Sequence, residues 1–151
     1  MNSLYGWFVV LHVIAAVVGM GSLFAFPLIR KSATTGSQLR FALGLIHKLD
    51  PFPTIGGVVL VVTGIMVMIL GKTGLSLLWL NVSIVLLIVM VVLLIGFLGP
   101  RMKKATELVL SSQGEQIPAG YSQAMKAILP LEKAVLAIIL AVIVLMVLKP
   151  F

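Results

Sequence analysis

His12 lies inside an apolar run covering residues 5–29. A side chain that can hold a proton, make a hydrogen bond or ligate a metal is rare at membrane depth and is normally turned toward the interior of a helix bundle. On a helix its neighbours at i+3, i+4, i+7 and i+10 are Ala15, Ala16, Gly19 and Ser22, a stripe of small residues. Two uses follow from that pattern. The stripe can let another helix approach closely, with His12 making one interhelical hydrogen bond. Alternatively it leaves room for a flat prosthetic group beside an imidazole, with His12 as the axial ligand of a haem.

The other candidate ligands are few. His47 falls beyond the far end of the first apolar run, and the helix from His12 to Ile29 alone covers about 25 Å, so one iron cannot join the two histidines. Met66 and Met68 approach the level of His12 from the second apolar run, as does Met146 from the last, and His/Met ligation of haem is chemically reasonable. Met66 and Met68 stand about 200° apart around a helix, so they cannot both face one ion. Methionine is also a common filler of apolar gaps. Thr63, Asn81 and Ser83 are expected to hydrogen-bond between helices, and Gly57 and Gly64, one heptad apart, read as a packing seam. No pair of acidic and basic side chains is expected inside the spans, since Glu132 and Lys133 fall at an edge.

The elements that must position these residues follow from composition. Of 151 residues, 61% are hydrophobic and 10% charged, a balance outside the range of soluble domains. Apolar runs at 4–29, 51–70, 77–98 and 131–148 are each close to the roughly 20 residues that cross about 30 Å of hydrocarbon. They use most of the chain, which predicts a single integral membrane domain over residues 1–151. The first run lacks a basic leader and a small-residue cleavage site, so it reads as a span and not as a signal peptide. The fold expected is an all-α four-helix transmembrane bundle with short cytoplasmic amphipathic helices.

The net charge of +7 is distributed for a membrane and not for nucleic acid. Arg30, Lys31, Arg40 and Lys48 lie between spans one and two. Arg101, Lys103, Lys104 and Lys126 lie between spans three and four. The positive-inside rule then puts both long loops in the cytoplasm and both termini outside, an N-out/C-out arrangement in a bacterial plasma membrane. Tyr5, Trp7 and Trp79 share the outer interface as an aromatic belt, and the basic loops face anionic lipid headgroups. The chain has no cysteine, which excludes disulfide and thiolate chemistry. No phosphate loop, hydrolase triad or zinc motif occurs.

Local signals mark the joints. Ser3 can cap the first helix, and Asp50 with Pro51 reads as N-cap and first residue of the second span. Between them, residues 38–49 suit an amphipathic helix in the cytoplasmic interface, with Arg40, Gly44, His47 and Lys48 on one face. Gly71 and Gly74 punctuate an outer turn, Ser76 can cap span three, and Gly99-Pro100 bends or ends it. Residues 111–120 are the most loop-like stretch, followed by an amphipathic turn that leads into span four past Pro130.

The segment Leu11-His12-Val13-Ile14, continuing through Gly21 to Pro27 and Arg30, resembles the first helix of copper-resistance-D-like membrane proteins and bacterial HemJ-type protoporphyrinogen oxidases. Thr63-Gly64 and Trp79-Leu80-Asn81-Val82-Ser83-Ile84 look like parts of their second and third helices. The resemblance implies b-type haem at His12; Gly19 from the small-residue stripe, and Met66 and Met68 from their level on span two, are the further candidate cofactor-binding residues. Where the oxidases carry a histidine and a lysine after the third-helix tryptophan, this chain has Asn81 and Ser83, which favours binding over catalysis. A predicted integral membrane protein branch that shares Gly99-Pro100-Arg101 is the nearer fit. The functional expectation is a small haem-binding or redox-accessory membrane protein. The alternative is a non-catalytic structural or assembly subunit, working as a homo-oligomer or within a larger membrane complex.

Overall fold

Long apolar runs fold as helices in a bilayer because no water is present there to satisfy the backbone. The computed structural model, which describes residues 3–150, is built from six α-helices and contains no strand among the described residues. They are α1 (Ser3–Lys31), α2 (Gly36–Leu49), α3 (Pro51–Leu70), α4 (Leu78–Val92), α5 (Gly99–Leu110) and α6 (Ala119–Leu148). A π-helical segment, Leu93–Leu98, joins α4 to α5. Four helical stretches are long and apolar enough to cross a membrane: α1, α2 with α3, α4 with α5, and α6. The expected spans are all present. The helices run well past their apolar ends on the side of the basic loops.

The joints explain that extension. Asp50 closes α2 and opens α3 with helical backbone angles (φ −56°, ψ −34°), so its side chain makes no cap and the two helices run on with hardly a break. Gly99-Pro100 does not end the third span. Its proline lacks an N–H and would crowd the carbonyl four residues earlier. The wider π turn absorbs this, Gly99 N–H donating to the Leu94 carbonyl. Span four likewise begins at Ala119, with Pro130 inside the helix. Two further expected caps are absent: Ser3 already lies within α1, and the residue before α4 is Leu77, not Ser76.

The spans pair as two hairpins. Inside the membrane section α1 packs chiefly on α3, and α4 on α6. On the basic side α2 leans on α1 and α5, and α5 on α6. Leu39, Leu43, Val109 and Ile128 are among the most deeply buried side chains of the protein, so close packing continues where the bundle leaves the apolar section. The amphipathic helix expected here is present as α2. Its apolar side turns to the bundle interior through Leu39, Ala42 and Leu43, leaving His47 and Lys48 exposed.

The tip of this extension is stitched by the backbone. Gly36 N–H donates to the Glu115 carbonyl at 2.6 Å, and a methyl group at position 36 would meet the Gly114 carbonyl at 2.6 Å. Ser37 donates to the Glu115 carboxylate at 2.7 Å, and Arg40 to the Gly114 carbonyl at 3.0 Å. The Ser37 hydroxyl holds the Glu115 carboxyl below its usual value of 4.5. At the opposite end Tyr5 packs on Gly71 and Lys149 stands 5.4 Å over the Trp79 ring. The expected aromatic belt is therefore gathered at that end, although Trp79 faces inward and only Trp7 is fully open.

Candidate functional site

His12 is half-buried on the face of α1 that meets α3. Its Nδ1 lies 3.0 Å from Thr63 Oγ1. The Thr63 hydroxyl is itself 2.7 Å from the Val59 carbonyl one turn earlier. A hydroxyl has a single proton to give, and donating it to Val59 leaves its lone pairs to accept from the imidazole. The Leu60 carbonyl adds a second acceptor beside the ring. With these acceptors beside it, Nδ1 carries a proton. No hydrogen bond of Nε2 is present among the described residues.

The ring also fills space. A methyl group on Gly64 would come within 3.1 Å of His12 Cε1, so the imidazole lies flat against a glycine of α3. Two turns along α1, Gly19 packs directly on Gly56. A Cβ at position 56 would sit 2.7 Å from Gly19 Cα, closer than atoms of a real side chain come. The stripe at Ala15 and Gly19 is thus in contact with the backbone of α3 at Gly56. The seam on α3 runs through Gly56, Thr63 and Gly64. Gly57, expected in it, faces open space. The heptad row begins one residue earlier than expected because Thr63, not Gly64, lies one heptad after the contact glycine.

Met66 and Met68 are half-buried on α3, past Thr63 toward the Gly71 end. They remain on different sides of the helix, and Gly19 is two turns from His12, about 10 Å along the axis. His47 is exposed in the last turn of α2. Among the described residues no three His, Cys, Asp or Glu side chains gather into a metal-binding group. Of the three polar residues expected to bond between helices, only Thr63 does so. Ser83, fully buried, returns its hydroxyl to the Trp79 carbonyl at 2.8 Å. Asn81 donates from its amide to the Leu75 carbonyl at 2.7 Å.

The largest departure from expectation is a buried ion pair. Arg30 at the end of α1 and Glu132 in α6 are 6% and 8% exposed. Arg30 Nη2 donates to both carboxylate oxygens, at 2.5 Å to Oε1, while Arg30 Nε is buried with no acceptor. The pair ties the first hairpin to the second. The two residues are far apart in the chain, and each looked like the charged edge of its own span. Their shared level was legible in one respect: Arg30 leaves span one where Glu132 enters span four.

These features define a four-span membrane bundle held internally by polar side chains. Residues 7–150 match the family model described as predicted integral membrane protein, DUF2269, and the chain belongs to that family. No curated protein and no solved structure matches it. The likeness to copper-resistance-D-like and HemJ-type proteins rests on the short segments quoted above, and the family match does not extend to them.

Proposed function

We propose that this protein is a non-catalytic structural or assembly subunit of a membrane complex, N-out and C-out in a bacterial plasma membrane with its basic loops toward anionic cytoplasmic headgroups. One observation carries the reading: the polar side chains inside the bundle are engaged in holding it together. His12 fastens α1 to α3 through Thr63, Arg30 fastens α1 to α6 through Glu132, Ser83 bonds to backbone in its own helix, and Asn81 bonds to backbone of the turn before α4. The lipid-facing surfaces of both hairpins are left apolar, with Val17, Val61, Ile88 and Val147 outward, as a scaffold that meets other spans requires. A double-mutant cycle tests the fastener role. His12→Ala and Thr63→Val should each lower the melting temperature in detergent, with a coupling of about 0.6 kcal/mol, at most about 1.7, the range for interhelical hydrogen bonds. Additive effects would remove His12 from that role.

A second reading is favoured by the proton on Nδ1. An imidazole whose Nδ1–H is held by an oxygen presents a basic Nε2, the arrangement that orients histidine ligands of metals. A haem b or a metal ion at His12 would then approach from outside the α1–α3 seam, since Gly19 is closed against Gly56. Met66, Met68 or another subunit would supply a second ligand. Such a protein would be a redox accessory and not an oxidase.

A further inference from the structure

The two hairpins are joined in the chain by residues 71–77, the turn at the far end from the basic loops. Their packing against each other lies elsewhere. Among the described helices no Cα of α3 comes within 8 Å of one in α4 or α6; across the divide only α1 with α6, and α2 with α5, approach so closely. The hydrogen bonds that tie the hairpins are on the basic side: Arg30 to Glu132, Gly36 N–H and Ser37 to Glu115, and Arg40 to the Gly114 carbonyl. At the far end Tyr5 packs on Gly71 and Lys149 over Trp79, each within its own hairpin. Lipid tails are as apolar as the facing side chains, so no hydrophobic force closes the gap between the far halves of α3 and α4.

The two ends of this arrangement are suited to rotation. Both carboxylate oxygens of Glu132 are met by the single nitrogen Nη2 of Arg30, and Nε has no acceptor. A fork of two nitrogens would fix the relative orientation of the groups, whereas one nitrogen lets them turn about it. In the far turn Thr73 N–H donates to the Met68 carbonyl, which ties it to α3. Asn81 donates to the Leu75 carbonyl, which ties that residue to α4. Gly74 stands between the two, and a methyl group there would meet only the Ser76 hydroxyl, at 4.0 Å. A loop residue so placed can absorb the backbone change of a hinge.

We propose that the two hairpins rock about the level of Arg30 and Glu132, with Gly74 as the far hinge, so that the gap between α3 and α4 widens and narrows within the bilayer. The motion is independent of whether His12 is a fastener or a ligand, because His12 and Thr63 belong to one hairpin. A rigid-body turn of about 15°, acting over a membrane section of about 30 Å, moves the far ends by about 8 Å. Double electron–electron resonance on the full chain in lipid nanodiscs reads that displacement, and a chain without cysteine accepts spin labels at chosen sites. Ile65→Cys with Val85→Cys spans α3 and α4, Val13→Cys with Ile65→Cys stays within the first hairpin, and Phe41→Cys with Leu110→Cys crosses the tied end. All of these positions are exposed. The α3–α4 pair should show a distance spread about 8 Å broader than the other two. Gly74→Ala, which restricts the hinge backbone, should narrow that spread and leave the others unchanged. Val62→Cys with Ile88→Cys, also exposed, repeats the measurement about one turn nearer the pivot if the first labels disturb folding. A spread no broader than that within the first hairpin, an equally broad one at the tied end, or no response to Gly74→Ala would each overturn the proposal.

Discussion

Glu132→Gln is expected to destabilise the bundle by about 3–5 kcal/mol, the cost of leaving a buried cation without its partner. Arg30 is only 6% exposed, so it cannot recover its hydration without pulling α1 away from α6. Its Nε already lacks an acceptor, which leaves Glu132 as the group that makes burial of the guanidinium tolerable. The pair itself need not add net stability. Desolvating two ions costs about as much as their attraction returns, and apolar replacements of similar size are often neutral or stabilising by about 1–4 kcal/mol. Arg30→Met with Glu132→Leu should therefore melt at or above the temperature of the native protein, while Glu132→Gln alone melts far below it. Equal melting of the single variant and the native chain would show that Arg30 reaches water or headgroups.

Gly56→Ala carries the second large effect, and its neighbour supplies the control. The added methyl group would lie 2.7 Å from Gly19 Cα and 2.9 Å from Gly19 N. Both are backbone atoms in the middle of a helix, so neither can step aside as a flexible side chain would. Relief requires α1 and α3 to separate along their whole contact, which also loosens His12 from Thr63. Overpacking of this kind costs about 1–3 kcal/mol. Gly57→Ala adds the same methyl group into open space and exchanges glycine for the better helix former, so its effect should stay within about 1 kcal/mol and favour the helix. Opposite signs for adjacent glycines, read from melting in detergent, would locate the seam to a single residue. A harmless Gly56→Ala would mean that the helices do not touch there.

The span positions were legible because length and hydropathy decide them, and Thr63 was identifiable as an interhelical partner. Other features depended on geometry that local patterns do not carry. Asp50-Pro51 reads as a cap, yet Asp50 keeps helical angles because it closes one helix while opening the next. Gly99-Pro100 reads as a bend or an end, and a π turn gives the proline ring room while the helix runs on. The small-residue stripe around His12 was correctly found, but a row of small side chains is equally suited to a cofactor and to a neighbouring backbone. The contact of Gly56 with Gly19 shows where a neighbouring backbone uses it. Arg30 and Glu132 were hidden for a related reason. Each marks the end of an apolar run, where a charge needs no explanation, and their pairing appears only when α1 and α6 are brought side by side.

The central claim is that His12 acts as a fastener between α1 and α3. The most direct test is the visible absorption spectrum of the purified full-length protein in detergent, recorded before and after haem is added, beside His12→Ala. The predicted result is no Soret band that depends on His12, with the variant differing from the native chain in melting temperature and not in colour. A Soret band in the native protein that His12→Ala abolishes would contradict the claim and assign the free Nε2 to haem iron.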